Sequence, residues 1–202
     1  SYNIQDEHFK SLIIEETTDA IKRFRHHPSI FIISGDNECE DAIRFFEKEL
    51  MENYRIISQD ILGPLVKSLT NIYFLRSSPS SCEIFNNTND MDNYDSHCWD
   101  VWGEGKDLEE YKRIYPRMLS EVGHQSFPLM DTIRKFAEED DLYIDSPVML
   151  HHQKRPGCNE RIFSYIKRLY GEPRCFEDLV YLSHLVQAEA IKICVEHLRS
   201  NK

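Results

Sequence analysis

The chain has 202 residues, enough for one sizeable core and more than the commonest domain length of about 100–150 residues. Lys and Arg total 24 against 35 Asp and Glu, a formal charge of −11, which argues against nucleic acid or an anionic membrane as the main partner. With 41% apolar and 11% aromatic residues it is no disordered acidic tail, and no apolar run approaches the ~20 residues of a membrane span.

In chain order, Asp6 is a candidate N-cap for a helix carrying Phe9, Leu12, Ile13, Ala20, Ile21 and Phe24, which Pro28 ends. Ile30 to Ser34 is a continuous apolar run rich in β-branched residues, expected as a strand buried on both faces. Helical spacing returns at Ala42, Ile43, Phe46 and Leu50, and Asn71 to Leu75 is a second strand candidate. A long polar stretch from Arg76 to Asp95 follows, of the kind that in a compact domain is functional or mobile. Arg117 to Val122 is a third strand candidate. Ser126 can cap a helix bearing Phe127, Met130, Ile133 and Phe136, with Pro128 in its first turn. Pro147 to Leu150 is a fourth, weaker strand. Asn159 can cap a helix stopped by Gly171, and a last helix runs from about Phe176 to Arg199. Helix and apolar strand alternate without a Gly- or Pro-rich linker, which points to parallel α/β architecture in one domain, residues 1–202.

None of the six cysteines (Cys39, Cys82, Cys98, Cys158, Cys175, Cys194) forms a CxxC pair. Their apolar or helical settings favour free buried thiols in a reducing compartment, and with it a cytoplasmic location. The chain starts at Ser1 with no signal-peptide pattern, and the early helix suggests a start in mid-domain. Neither GxGxxG nor GxxxxGK[ST] occurs, so no phosphate loop is expected. The nine histidines form no HExxH or HxH pattern, so no metal and no cofactor are expected.

In α/β folds chemistry sits at the carboxyl ends of strands. The first apolar strand leads into Ser34-Gly35-Asp36-Asn37-Glu38 and the third into Ser120-Glu121-Val122-Gly123-His124-Gln125, so each carries a glutamate at or just past its end. Two carboxylates facing one cleft are the minimum apparatus for glycoside hydrolysis: one is protonated to donate to the leaving oxygen, the other ionised to attack. The alternative is that both are surface loop residues. Asn37 suits a donor to a sugar hydroxyl. Trp99 and Trp102 offer flat faces for a sugar ring, or else belong to the core.

The segments His26-His27-Pro28-Ser29-Ile30 and Ser34-Gly35-Asp36-Asn37-Glu38 resemble the acid/base region of glycoside hydrolase family 2. Trp99-Asp100-Val101-Trp102, Ser120 to Pro128, His151-His152-Gln153-Lys154, and Glu177 to Lys192 resemble the β-mannosidase branch of that family. The resemblance implies the second half of a catalytic (β/α)8 barrel, from about strand four to the last helix, with strands one to three and amino-terminal β-sandwich domains absent from this chain. That missing amino-terminal part would be a partner of the barrel portion. It also implies a retaining exo-β-mannosidase: Glu38 as general acid/base after strand four, Glu121 as nucleophile after strand seven, Asn37 on the 2-hydroxyl, Trp99 and Trp102 lining the mannose subsite, and His151 and Gln153 beside it. The two glutamates lie 83 residues apart, close to three units of roughly 30 residues each. The implied substrate is a β-mannoside; the alternatives are another family 2 exo-β-glycosidase (β-galactosidase, β-glucuronidase or exo-glucosaminidase type) or a non-catalytic fragment. Where many relatives carry two asparagines before the glutamate, the first position here is Asp36. Half a barrel alone is expected to show little turnover and to self-associate through open strand edges.

Overall fold

The computed structural model of the chain describes residues 3–201, which fall into two compact units: 3–97 with 116–121, and 98–115 with 122–201.

The first unit opens with α1 (Glu7–Phe24). Asp6 caps it as expected, its carboxylate accepting the His8 and Phe9 backbone N–H groups at 2.9 and 3.2 Å. Strand β1 (Ile32–Ser34) pairs in parallel with β2 (Tyr73–Leu75), Ile32 opposite Tyr73 and Ser34 opposite Leu75. A parallel pair needs a long crossover. Here it is α2 (Cys39–Phe46), a 3₁₀ turn, α3 (Met51–Arg55), a π-helical stretch (Ile56–Leu62) and α4 (Gly63–Leu69). The helix loosens into its π stretch just before Gly63-Pro64, where proline offers no N–H to the preceding turn. Ile4, Ile57 and Leu62 form a buried cluster against Phe9, Ile13 and Phe74, so the crossover packs on α1 and on the sheet.

Strands β3 (Ser96–Cys98) and β4 (Leu119–Val122) form a second pair, in which the Ser96 N–H donates to Met118 O at 3.0 Å. The described residues thus form two two-stranded sheets. β1 is half-buried rather than buried on both faces, and Phe31 beside it is exposed, because a two-stranded sheet leaves its edges and part of its faces uncovered.

The second unit is mostly helical: α5 (Asp100–Glu104), α6 (Met130–Ile133), α7 (Pro147–His152), α8 (Cys158–Tyr170) and α9 (Phe176–Ser200). α8 presents Ile162 and Ile166, and α9 presents Val186, Ala190 and Cys194, to a core that includes Val101 and Tyr111. Gly171, at φ +84°, ends α8.

Three local expectations are corrected. Pro147 to Leu150 is helix, not strand: Ser146 accepts the Met149 N–H at 3.1 Å and Pro147 starts the turn, and these outweigh a short apolar run. Ser126 caps no helix. The residue before a proline is driven from helical backbone, so Phe127-Pro128 stays out of helix, Ser126 Oγ donates to Gln187 Oε1 at 3.0 Å, and α6 starts after it. Asn159 lies inside α8, buried, donating to Ile144 O at 2.9 Å, while Gly157 at φ +77° precedes the helix. All six cysteines are free; Cys98, Cys158 and Cys194 are buried, Cys39 is half-buried, and Cys82 and Cys175 are exposed.

Candidate active site

Glu38 reaches its place because the loops after β1 and β2 zip together beyond the sheet. Gly35 N–H donates to Leu75 O at 2.9 Å, Ser78 N–H to Asp36 O at 3.0 Å, and Glu38 N–H to Ser78 O at 2.7 Å. A side chain at Gly35 would put its Cβ 2.6 Å from Arg76 O, so only glycine permits this approach. Glu38 itself sits at φ +56°, a left-handed conformation that a non-glycine residue adopts only when its surroundings enforce it.

Asp36 is spent on this architecture. Its carboxylate accepts from Ser77 Oγ at 2.6 Å, Tyr54 Oη at 2.9 Å and Cys39 N–H at 3.2 Å, while burial pushes its pKa above the usual range. Immediately beyond Glu38, α2 is locked by Glu40. This residue is fully buried, bidentate with Arg76 at 2.8 and 3.2 Å, and also accepts the Phe85 N–H at 2.6 Å.

Glu121 projects from β4 toward the same point. The meeting place is His97 on β3. Its Nδ1 lies 2.9 Å from Glu38 Oε1 and 3.4 Å from Glu121 Oε2. One donor atom of each of the three residues lies within 4.8 Å of the others. The imidazole is 2% exposed, whereas the Glu38 and Glu121 side chains are 48% and 32% exposed. The pair therefore faces solvent across a buried histidine. By their spacing the same three groups could hold a metal ion, and the His97–Glu38 contact is also of hydrogen-bond length.

Asn37 is exposed beside Glu38, and its backbone pairs with Ser78. The other expected residues belong to the second unit. Trp99 is 38% exposed and lies over Gly123, where an added Cβ would come 3.3 Å from its Cζ3. Trp102 is buried, packed on His124 with ring centres 4.9 Å apart and the Arg161 guanidinium 5.8 Å from its ring. His151 is exposed at the end of α7. Gln153 donates to Asn159 Oδ1 at 3.0 Å and accepts from Gln125 Nε2 at 3.4 Å.

His97 escaped sequence reasoning. It stands in a three-residue strand, Ser-His-Cys, with no apolar alternation, at the end of a polar stretch. Its one signal is that it immediately precedes the Cys98-Trp99 block.

His124 carries a stability consequence. Buried between Trp102 and Tyr165, it donates from Nδ1 to Gln125 O at 3.1 Å, and its Nε2 has no hydrogen-bond partner among the described residues. Burial pushes its pKa from 6.5 down to about 4. The unfolded chain binds this proton near pH 6.5 and the folded chain only near 4, so the contribution is present above pH 6.5 and lost as pH falls toward 4. Denaturant unfolding at pH 7 and pH 4.5 should reveal a loss of about 2 kcal/mol that His124→Asn largely removes. An unchanged pH dependence in the variant would show that another group is responsible.

No family model matches the chain. It is 27% identical to a β-mannosidase of Capra hircus over 98% of its own length and 25% of the relative's. It is 30% identical to β-mannosidase B of Thermothelomyces thermophilus over 89% of its length and 23% of the relative's. The crystal structure of a β-D-mannosidase from Dictyoglomus thermophilum superposes with a TM-score of 0.87 at 31% identity, covering 98% of this chain and 24% of that one. The chain therefore spans about a quarter of the length of the relatives it matches. In sequence and in backbone it is related to the β-mannosidases.

Proposed function

We propose that the chain is the part of a retaining exo-β-mannosidase of glycoside hydrolase family 2 that carries both catalytic carboxylates, on the second half of a (β/α)8 barrel. Residues beyond this chain would supply barrel strands one to three and the amino-terminal β-sandwich domains. The observation that carries the reading is the convergence of Glu38 and Glu121 on one imidazole, with donor atoms within 4.8 Å. Retaining glycosidases hold their carboxyls about 5–5.5 Å apart, whereas inverting ones leave about 6.5–9.5 Å for a water.

In the first half-reaction Glu38 gives its proton to the glycosidic oxygen while Glu121 attacks the anomeric carbon. The C–O bond to the leaving group breaks and a mannosyl ester forms on Glu121. In the second, water gives its proton to Glu38 and its oxygen to the anomeric carbon, which restores the Glu121 carboxylate. Asn37, exposed beside Glu38, would meet the 2-hydroxyl, the group whose axial position marks mannose. From the resemblance, Trp99 would offer an aromatic face to the sugar ring, with Trp102, His151 and Gln153 lining the same subsite.

The test uses a polypeptide of the relatives' length that contains this chain, on a panel of aryl β-glycosides. Mannoside hydrolysis that EDTA leaves unchanged is expected. Cleavage of a galactoside, glucuronide or glucosaminide with none of the mannoside would move the chain to another exo-glycosidase. Activity lost on chelation and restored by zinc would overturn the two-carboxylate mechanism.

A further inference from the structure

The contacts of His97 fix where its protons sit. Ser78 Oγ has one hydrogen and donates it to Asp95 Oδ2 in a short contact. Asp95 is buried, and its other carboxylate oxygen has no hydrogen-bond partner among the described residues, so the bond from Ser78 is the one its side chain makes among them. With its hydrogen spent, Ser78 Oγ must accept at its 3.0 Å contact with His97 Nε2, which places a hydrogen on Nε2. Ser120 Oγ, 3.2 Å from Ser78 Oγ, then donates to it or stands by. A neutral imidazole with Nε2–H has only a lone pair at Nδ1, and that nitrogen faces Glu38 at 2.9 Å and Glu121 at 3.4 Å. A lone pair and two carboxylates at these distances repel unless a proton lies among them. The backbone that carries the ring is clamped, since His97 N–H donates to Asn89 Oδ1 and Asn89 Nδ2 donates to His97 O, both at 2.8 Å, and the ring itself is 2% exposed.

We propose that His97 is a positioning residue that keeps one proton shared among its own Nδ1, Glu38 and Glu121, its ring held in the Nε2–H form by Ser78 and Asp95. The titratable groups facing it are Glu38 from the loop after β1, Glu121 from β4, and Asp95 through Ser78. The catalytic consequence rests on the glycosidase reading above. The shared proton is the one Glu38 delivers to the leaving oxygen, and the imidazole keeps it next to Glu38 without placing it on Glu121. The proton that Glu38 delivers is thus held by contacts that reach both Glu38 and Glu121 from one ring nitrogen.

Two measurements test this separately. Long-range ¹H–¹⁵N spectra of the chain labelled at histidine report each ring nitrogen of His97. Nε2 protonated across pH 5–8 is expected, with the proton moving toward Nδ1 in Ser78→Ala, where Nε2–H loses its acceptor. A neutral Nδ1–H tautomer in the unaltered chain overturns the proposal, with or without the variant. In the longer enzyme, His97→Gln removes a basic site and adds an amide donor to the Glu38 carboxylate. Ser78→Ala lets a neutral Nδ1–H do the same. Both should move the alkaline limb of kcat toward lower pH, by about one unit or more. A lower kcat with an unmoved limb would reduce His97 to a structural role. The predicted spectra together with no mannosidase activity would sink the glycosidase reading alone, leaving the proton placement intact.

Discussion

Glu121→Gln is expected to lower β-mannoside hydrolysis by on the order of 10⁴-fold or more, the loss typical of removing a nucleophile that works as part of a unit. The test protein is again a polypeptide of the relatives' length carrying this chain. Glu38→Gln should cost about 10²–10⁴-fold, with a diagnostic difference. A leaving group that needs no protonation, such as dinitrophenolate, should escape most of the loss in the first step, and azide should restore turnover by replacing the water that Glu38 activates. The asymmetry follows from the two roles, since one carboxylate supplies a proton and the other a bond. Steady-state kcat on a series of aryl mannosides reads it directly. Equal losses for both variants regardless of leaving group would contradict the assignment.

The second large effect concerns stability. Arg76→Met should destabilise the chain by about 3–5 kcal/mol, because it leaves the Glu40 carboxylate fully buried, with only the Phe85 N–H among the described residues to answer it. Arg76 also donates to Ser81 O at 2.8 Å, so the same change loosens the loop after β2. Against a typical total of 5–15 kcal/mol, this is a large fraction. The double replacement of Glu40 and Arg76 by Met should recover most of the loss, since an apolar pair of similar volume needs no counter-charge. Urea unfolding of the two single variants and the double one measures this. A single-variant cost below about 1 kcal/mol would mean that the pair behaves as a surface ion pair. The effect bears on function because α2 starts at Cys39, directly after Glu38. A loosened Glu40 frees the left-handed turn that aims the acid/base candidate.

Much of the site was legible because its parts lie on strong local signals. The Ile-Phe-Ile-Ile run announced β1, and the Gly-Asp-Asn-Glu that follows could hardly continue a strand. Leu119 to Val122 similarly carried Glu121 into view. Asp6 and Gly171 mark helix ends by chemistry that needs no tertiary context. His97 was hidden because its role is defined by three partners far away in sequence, Glu38, Ser78 and Glu121, and by burial that a polar neighbourhood does not advertise. Pro147 to Leu150 misled because four apolar residues fit either period, and the deciding residue, Ser146, lies outside the run. Trp102 is a residue type suited to sugar binding that is also buried against His124 and Arg161 within its own unit.

The most direct test of the central claim is to trap the intermediate. A polypeptide of the relatives' length containing this chain, treated with a 2-deoxy-2-fluoro-β-mannosyl fluoride and digested for peptide mass spectrometry, should carry the fluorosugar as an ester on Glu121, and Glu121→Gln should carry none. A label on Glu38 or on another residue, or turnover with inversion and no ester at all, would contradict the account.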